Sequence, residues 1–379
     1  MRLLILAHNL KASGARSVGW NVTRALPEVA PDHEYMFVVP QAAEYDLHPD
    51  KPNVEVLEVE STSILARFRL EQYGLPRLVR HFKPDWVWAL GNLPLAATGG
   101  SQALLFHDPH LIYPQREFGR EIMSERLKKA LLRRVLRHRL PAVDLVFCQT
   151  ETARARFETH YYPVTRTVLF PNAFSYRAAE GEGDGRATPP ALEPYAGRFK
   201  FFVLTRYFAH KNLELIAEAY ERYRTDLAQT VTFLTIDGSQ HPGSRRLLNR
   251  IKRSGLEELI VNLGPLRQSQ LSVYYRDTDS LLLPTLQESY SATYLEAMTF
   301  GRPILTSDRD FARELCGDAG LYFNPHDAES LKEAMVRISQ NESERRSLVA
   351  AGAARLPVIT RSWDSILRSA LDAMAIPHG

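Results

Sequence analysis

The chain has 379 residues, too many for one domain of ordinary size and enough for two of about 150–200 residues each. Hydrophobic residues make up 45% and charged residues 24%, which is ordinary for a soluble globular protein. The net charge of +3 points to no class of partner by itself. The basic excess lies in residues 1–172, with 22 Lys and Arg against 18 Asp and Glu.

The cysteines and the apolar runs bear on the cell compartment. Cys148 and Cys316 each end an apolar stretch and form no pattern of pairs, so we expect no disulfide framework and a reducing environment. The residues after Met1 predict a strand and not a signal peptide, and no apolar run approaches the roughly 20 residues that span a bilayer. We therefore expect a cytoplasmic protein, with any membrane contact peripheral and on the inner face.

The first half of the chain alternates short apolar strands with helical patterns. Strands are predicted at residues 2–7, 35–39, 53–57, 85–89, 102–106, 143–148 and 166–169. Helices are predicted at residues 63–82, 117–139 and 150–160, the last with Thr150 as its N-cap. Strands that alternate with helices predict a parallel sheet covered on both faces.

The alternation stops at residues 175–198 and then restarts. This segment is rich in Gly, Ala, Pro and Glu and predicts an interdomain linker or a mobile loop. Strands are predicted beyond it at residues 200–204, 230–236, 259–263, 279–283 and 303–306. Helices are predicted at residues 212–223, 244–254, 268–276, 291–300, 327–339, 342–354 and 361–374.

The two halves predict an α/β fold of two Rossmann-like β/α/β domains with a cleft between them. We expect an N-terminal domain at residues 1–172, a linker at 173–199 and a C-terminal domain at 200–360. The last helix, at 361–379, is expected to return to the N-terminal domain. Ligands of open parallel sheets bind beyond the carboxyl ends of the strands, so the chemistry is expected in the loops there.

The strongest motif is the segment 283–301, in which two glutamates flank a turn and a helix. Glu288 falls in the loop after a predicted strand, Ser289–Tyr290–Ser291 forms the turn, and Glu296 lies in the helix that follows. A helix N-terminus presents free N–H groups and a partial positive charge, which suit a phosphate. Glu296 lies roughly 6–8 Å into the helix at 1.5 Å per residue, so one glutamate can meet a sugar and the other a ribose. The alternative is two solvated surface carboxylates.

This segment resembles the donor-binding motif of the retaining, family-four glycosyltransferases, which have the two-Rossmann-domain (GT-B) fold. The likeness covers most of residues 200–370, and it departs from the family at Ser291, where glycine is usual. The matching residues are Pro284, Glu288, Ser289, Tyr290, Ser291, Glu296, Ala297, Met298, Gly301 and Pro303. The resemblance implies a front-face mechanism, in which the leaving phosphate itself takes the proton of the acceptor.

Two cations follow the first predicted strand of the second half. Arg206 comes after that strand and Lys211 opens the next helix. In the family, the matching Arg and Lys bind the donor diphosphate. Two cations there can neutralise the charge that develops on a leaving phosphate. The alternative is a pair of ordinary surface cations.

Three further positions resemble the family in less specific ways. Gly238 ends the strand-end loop 236–238, and Leu266 would pack against the nucleotide base; the alternative for both is ordinary strand-to-helix turn chemistry. Gly14 lies in Ser13–Gly14–Ala15, between the first strand and a helix, and resembles the glycine loop near the donor phosphates. This loop is not a G-x-G-x-x-G fingerprint, which argues against NAD, and we expect no cofactor.

His107 and Asp108 close the predicted strand 102–106, so they are expected to face the cleft. His107 resembles the histidine of the family that contacts the donor sugar or positions the acceptor, which implies acceptor binding by this pair. A lone histidine is more often structural, and that remains the alternative.

The pair Asp277 and Asp279 has the Asp-x-Asp pattern of metal-dependent glycosyltransferases of another fold. The pair precedes the buried strand 279–283 and does not follow it, which indicates a structural role. No other grouping has the spacing of metal ligands. We expect no metal, with Arg206 and Lys211 taking the place of a cation.

Residues 116–139 hold nine Lys and Arg against three Glu, with apolar residues at helical spacing. One interpretation is a helix with a core-facing stripe and a solvated basic face. The other is attachment to an anionic membrane surface or a phosphate-bearing acceptor. Residues 64–83 add a second basic patch. No known nucleic-acid module is present, so nucleic acid is not expected as a partner.

Together these features predict a transferase that moves a hexose from a nucleoside diphosphate sugar to a glycan or lipid-linked acceptor, in the synthesis of a polysaccharide, a glycolipid or another glycoconjugate. Glu288, Arg206 and Lys211 are the expected catalytic residues on the donor side, and His107 on the acceptor side. Two alternatives stay open. A sugar-nucleotide 2-epimerase on the same fold would need no acceptor site, and a non-catalytic carbohydrate-binding protein would need no phosphate ligands.

Overall fold

The computed structural model describes residues 1–11, 13–41, 45, 47, 51–61, 63–114, 117, 123–162, 166–173 and 188–376, with the backbone alone at Ser13 and Ile64. The last three residues of the predicted C-terminal helix, 377–379, lie outside this range, and two other predicted segments lie partly outside it. They are the linker, of which residues 174–187 are outside, and the start of the basic segment, of which only residue 117 is described before residue 123.

The chain forms two compact units. The first combines Met1–Ile112, Met123–Ala173 and Arg361–Gly379, and the second combines Tyr113–Ile122 and Phe174–Thr360. Each unit has its own parallel sheet and its own apolar core. This confirms the predicted α/β class with two Rossmann-like units.

Seven parallel strands form the sheet of the first unit. They are β1 (Arg2–Leu6), β2 (Glu34–Pro40), β3 (Val54–Val59), β4 (Trp86–Ala89), β5 (Ser101–Phe106), β6 (Leu145–Cys148) and β7 (Thr167–Leu169). Their order across the sheet is β3-β2-β1-β4-β5-β6-β7. The central strands are buried almost throughout, as expected for a parallel sheet covered on both faces, whereas the edge strand β3 is largely exposed.

The helices of the first unit include the three predicted ranges, with one irregularity, and a long first helix for which no range was predicted. They begin with α1 (Ser13–Val29), α2 (Ile64–Arg69), α3 (Leu75–Phe82), α4 (Met123–Arg139) and α5 (Glu151–Tyr161). The single helix predicted at 63–82 contains a π-helical segment, Leu70–Gly74, between α2 and α3. The predicted N-cap Thr150 is confirmed, since its hydroxyl accepts the backbone N–H of Ala153 at 3.1 Å.

Six parallel strands form the sheet of the second unit. They are β8 (Phe199–Val203), β9 (Thr230–Leu234), β10 (Ile260–Asn262), β11 (Ser280–Leu283), β12 (Ile304–Ser307) and β13 (Gly320–Phe323). Their order is β10-β9-β8-β11-β12-β13. The edge strand β13 was not predicted, because it is only four residues long and half-exposed over three of them.

The helices of the second unit are α6 (Glu214–Arg222), α7 (Pro242–Arg253), α8 (Leu271–Asp277), α9 (Ala292–Thr299), α10 (Asp310–Cys316), α11 (Ala328–Gln340) and α12 (Glu342–Ile359). The short helix α10 was not predicted; it ends at Gly317, which has a φ of 51°. Among the described residues, no helix is both long and apolar enough to cross a membrane.

The last helix, α13 (Trp363–Ala375), is part of the first unit. Its apolar residues Ile366, Leu367 and Leu371 belong to the same core as α1. The guanidinium of Arg166 also donates to the carbonyl oxygen of Ala373 at 2.9 Å. Residues distant in sequence therefore complete the first core.

The strand order reverses at one point in each sheet. This point lies between β1 and β4 in the first unit and between β8 and β11 in the second. The loops at the carboxyl ends of two such strands diverge to opposite faces of the sheet and leave a crevice at the edge. In the second unit, those loops carry Arg206, Lys211 and Glu288.

Candidate functional site

The site in the second unit is built from the loops that follow β8 and β11. The chain after β8 passes through Arg206 to a 3-10 turn, Ala209–Lys211, and the chain after β11 runs from residue 284 to 291 before α9 begins. The two loops are tied together by the backbone N–H of Leu286, which donates to the carbonyl oxygen of His210 at 2.8 Å. Because these residues neighbour Lys211 and Glu288 in the chain, the bond brings the two charged side chains close together.

Lys211 and Glu288 form an ion pair, the lysine Nζ donating to the Oε1 atom of the glutamate. The side chains are 16% and 13% exposed, so the pair lies largely out of water but remains open on one side. Asn212, with a φ of 55°, ends the turn that carries Lys211, and its amide donates to the carbonyl oxygen of Pro325 at 2.8 Å. The sequence identified both charged residues but not their direct contact.

Arg206 is exposed beside this loop. Within the described part of the chain, its guanidinium has no ion pair or hydrogen bond. It therefore differs from Lys211, whose charge is already balanced by a carboxylate. A planar guanidinium in this setting can take up an anion without first releasing a partner.

Glu296 lies on α9 and is held by a tyrosine from α8. The hydroxyl of Tyr275 donates to the Oε2 atom of Glu296 at 2.8 Å. Burial raises the pKa of Glu296, and the hydrogen bond from Tyr275 opposes this shift. Tyr275 is itself fixed by stacking on Phe300, with ring centroids 5.1 Å apart, and by an edge contact with Phe202 at 5.2 Å. Sequence reasoning missed Tyr275, because a tyrosine on a short helix has no pattern that singles it out.

The turn before α9 is mostly buried. Ser289 and Ser291 are 6% and 7% exposed, and burial raises the pKa of Tyr290. Ser291 is the N-cap residue of α9 and has a φ of −119°, which any residue adopts. The usual glycine of the family is therefore not required at this position by the backbone conformation.

Gly238 and Leu266 lie in the loops after β9 and β10, on the same edge of the sheet. The turn that contains Gly238 is held by Asp237, whose Oδ1 atom accepts the N–H of Ser239 at 2.8 Å. Both predicted residues are half-exposed. No hydrogen bond in the described structure links either of them to Lys211 or Glu288.

The Asp-x-Asp pair is engaged in bonds within the protein. Asp279 accepts the backbone N–H of Lys200 at 2.7 Å and the Nζ atom of the same residue at 3.2 Å. Asp277 pairs with Arg276. Among the described residues, no group of three or more His, Cys, Asp or Glu side chains is arranged to hold a metal ion.

The remaining predicted residues lie in the first unit, at the carboxyl ends of β5 and β1. The backbone N–H of His107 donates to the Oδ1 atom of Asn92 at 2.6 Å, and burial lowers the pKa of its imidazole to about 4. The carboxylate of Asp108 caps the 3-10 turn Pro109–Leu111 by accepting the N–H of His110 at 3.0 Å. Gly14 lies within the first turn of α1 and not in a loop before it, and a Cβ there would meet no atom within 4 Å.

The low pKa of His107 predicts a pH-dependent stability. The unfolded histidine has a pKa of about 6.5, so below that pH the unfolded chain binds a proton that the folded chain does not. This site should therefore lower the free energy of unfolding by about 1.4 kcal/mol per pH unit as the pH falls from 6.5 towards 4. Urea titrations at several pH values should show that His107→Asn loses less stability on acidification than the wild type. His138→Asn, an exposed site on α4, is the control, and identical pH profiles of wild type and His107→Asn would contradict the assignment.

Two Rossmann-like units, each built on its own parallel sheet, form the architecture of the GT-B class of proteins. Residues 186–355, most of the second unit and less than half of the chain, match the model of the family described as glycosyl transferases group 1.

Solved structures align with this chain over almost its whole length, and two of them serve as examples. The sucrose-phosphate synthase of Thermosynechococcus elongatus has a TM-score of 0.73 at 17% identity, over 98% of both chains. The HepE protein of Anabaena, solved in complex with UDP and glucose, has a TM-score of 0.72 at 14% identity, over 100% of both chains. At these identities the likeness shows the fold alone.

A curated relative is similar over part of the chain. The O-antigen chain mannosyltransferase B of Escherichia coli is 24% identical over 163 residues, which are 43% of this chain and 42% of that protein. The chain thus matches less than half the length of this relative.

Proposed function

We propose that this protein is a retaining glycosyltransferase that moves a hexose from a nucleoside diphosphate sugar to an acceptor hydroxyl, in the synthesis of a polysaccharide, a glycolipid or another glycoconjugate. The observation that carries the proposal is the Lys211–Glu288 pair at the switch point of the second sheet, with the exposed Arg206 beside it. The family match of this unit supports it, and so does the fold shared with a protein solved with UDP and glucose.

The donor is assigned to the second unit. Arg206 and Lys211 bind the diphosphate and neutralise the charge that develops on it as the glycosidic bond breaks. Lys211 then exchanges Glu288 for phosphate oxygens, which frees the carboxylate of Glu288 for the hydroxyl groups of the sugar. Glu296, fixed by Tyr275, accepts hydrogen bonds from the ribose hydroxyls.

The acceptor is assigned to the first unit, with His107 and Asp108 at the carboxyl end of β5. At neutral pH the imidazole of His107 is uncharged, because burial holds its pKa near 4. A neutral imidazole can donate or accept a hydrogen bond and can orient a hydroxyl group. The proton of the acceptor passes to the leaving phosphate in the proposed front-face reaction.

The reaction is proposed to need no metal, since two cations stand where the diphosphate would bind. A thermal-shift screen of sugar nucleotides in EDTA tests this together with the function. A donor at a hundredfold excess over its Kd should stabilise the protein by about 2.7 kcal/mol, and transfer to an acceptor should continue in EDTA. Transfer that stops with the chelator and returns with manganese would overturn the metal-free mechanism. If the protein epimerises the sugar of the donor when no acceptor is present, it is the 2-epimerase. If it binds no sugar nucleotide, the proposed function is refuted.

The acceptor is proposed to be lipid-linked, with α4 resting on an anionic membrane surface. Three large apolar side chains, four residues apart on this helix, point into solvent: Met123, Leu127 and Leu131 are 66%, 64% and 61% exposed. The cations Lys128 and Arg134 are exposed on the same helix. Apolar side chains next to basic ones are typical of a helix that lies in the interface of a membrane.

Vesicle sedimentation is expected to show salt-sensitive binding through α4. Each cation near an anionic surface contributes about 1 kcal/mol, and the attraction decays within about 8 Å at physiological salt. A variant with Leu127, Leu131, Lys128 and Arg134 changed to Gln should stay in the supernatant, and the control Arg222→Gln, Arg253→Gln in the second unit should bind as the wild type does. Arg133 is left unchanged because its guanidinium donates to the carbonyl oxygen of His110 at 2.7 Å. If the wild type does not bind anionic vesicles at low salt, the lipid-linked acceptor is refuted and a soluble acceptor becomes the better hypothesis.

A further inference from the structure

A short segment of the first half of the chain is part of the second unit. This segment is Tyr113–Ile122, and we call its described residues, 113, 114 and 117, the strap. Tyr113 is fully buried, and its hydroxyl donates to the Oδ1 atom of Asp310 at 2.9 Å. The carboxylate of Glu117 pairs with Arg309, which follows β12. The strap is thus fastened to the carboxyl-end loops of the second sheet, the edge that carries the candidate site.

The strap also holds the residue next to Glu288. Gln287 is fully buried, and its Nε2 atom donates to the backbone carbonyl oxygen of Glu117 at 2.9 Å. A buried N–H group left without its acceptor is costly, so this bond favours one position of Gln287. Since Gln287 and Glu288 share a peptide bond, the strap limits where Glu288 can move.

The ion pair between Glu117 and Arg309 holds the backbone carbonyl group of Glu117 where Gln287 can donate to it. The two side chains are 19% and 16% exposed, so water screens their attraction only in part. Arg309 also lies over the ring of Tyr113, with its guanidinium carbon 5.9 Å from the ring centroid. Arg309 therefore contacts both Tyr113 and Glu117, the residue whose carbonyl group accepts the Gln287 amide.

We propose that Glu117 and Gln287 are positioning residues that hold Glu288 in place when Lys211 turns from it to the donor diphosphate. This proposal rests on the proposed function. In the resting protein, Lys211 restrains the Glu288 side chain directly. Once the diphosphate takes Lys211, that restraint is lost, and the backbone anchor through Gln287 keeps the carboxylate aimed at the sugar. The strap thereby makes the geometry of the donor site depend on a segment from the first half of the chain.

The direct test is Gln287→Met, which keeps the size of the side chain and removes its amide. We expect kcat to fall about tenfold, with the affinity for the free nucleoside diphosphate within twofold of the wild type. We expect kcat to change and the diphosphate affinity to stay the same because Glu288 acts on the sugar, whereas the diphosphate is assigned to Arg206 and Lys211. Arg313→Gln is the control, since it breaks a bidentate pair with Asp308 in the same unit without touching the strap, and its kcat should not change.

A charge swap tests the ion pair and supplies a rescue. Glu117→Arg should lower kcat as Gln287→Met does, and the double variant Glu117→Arg, Arg309→Glu should restore most of it. A folded Gln287→Met with normal kcat would overturn the proposal, and so would a loss of diphosphate affinity that parallels the loss of turnover. A swap that restores thermal stability but not kcat would also overturn it.

Amide hydrogen exchange separates this proposal from the proposed function. Exchange across residues 284–291 should accelerate in Gln287→Met and not in Arg313→Gln, whether or not the protein transfers sugar. Unchanged exchange would refute the anchoring role. If the wild type binds no sugar nucleotide while exchange accelerates as expected, the anchor stands and the function is wrong.

Discussion

Lys211→Met is expected to lower kcat/KM by about 10²–10³-fold, the usual effect of removing one preorganised charge that stabilises a transition state. In the proposed mechanism the affected step is departure of the diphosphate, because Lys211 would neutralise the negative charge that develops on it. Steady-state kinetics with saturating acceptor would measure the effect. Lys211→Arg should recover only part of the activity, because a planar guanidinium does not reproduce the point charge of an ammonium group.

Lys211→Met is also expected to destabilise the fold. The loss of stability must be distinguished from the loss of catalytic activity. Glu288 is only 13% exposed, so without Lys211 its carboxylate would be a largely buried, unpaired charge. The double variant Lys211→Met, Glu288→Gln removes both charges and should melt closer to the wild type while remaining inactive. If Lys211→Met keeps kcat/KM within threefold of the wild type, the lysine is a structural partner of Glu288 and not a catalytic residue.

Glu296→Gln is expected to weaken the binding of the free nucleoside diphosphate by about 10–150-fold, with a smaller effect on kcat. Two hydrogen bonds from the ribose hydroxyls to a carboxylate are together worth roughly 1.5–3 kcal/mol more than the same bonds to a neutral amide, because they are charge-assisted. Isothermal titration with the diphosphate would measure the change. Unchanged affinity in the folded variant would refute the assignment of Glu296 to the ribose.

The pH dependence of this affinity gives a second readout. Burial raises the pKa of Glu296 above its ordinary value, so its carboxylate takes up a proton at a higher pH than an exposed glutamate does. Affinity for the diphosphate should therefore fall as the pH falls through that raised pKa, and this fall should be absent in Glu296→Gln. Tyr275→Phe is the matched control. This substitution removes the 2.8 Å hydrogen bond to Glu296. Because that bond lowers the pKa of Glu296, its loss should raise the pKa further and move the fall in affinity to higher pH, while the carboxylate is kept.

The ion pair at the site has a consequence for how the donor would bind. A lysine already paired with a carboxylate has less affinity for a diphosphate than a free one, since the pair must separate first. The exposed Arg206 has no such partner among the described residues and can make the first contact with the anion. Lys211 would follow when the diphosphate competes with Glu288, and the strap would then hold Glu288 in place.

The fold class and most elements were predictable from local sequence. Buried parallel strands are short apolar runs bounded by polar residues, and each strand of the described structure except β13 coincides with such a run. The edge strand β13 and the seven-residue helix α10 lack a strong period of their own and depend on their neighbours. The π-helical segment within the predicted helix 63–82 has no separate sequence pattern either.

By itself, the sequence determined two alternating α/β units and the loops in which charged residues follow buried strands. These features depend on side chains only a few residues apart, so local periodicity and turn chemistry suffice to recognise them. The tertiary structure alone decided which residues meet: Lys211 with Glu288, Tyr275 with Glu296, and Gln287 with Glu117. These partners are 77, 21 and 170 residues apart, and no local pattern encodes such distances. The order of the strands in the sheet and the docking of the strap bring them together, and both follow from how the whole chain buries its apolar surface.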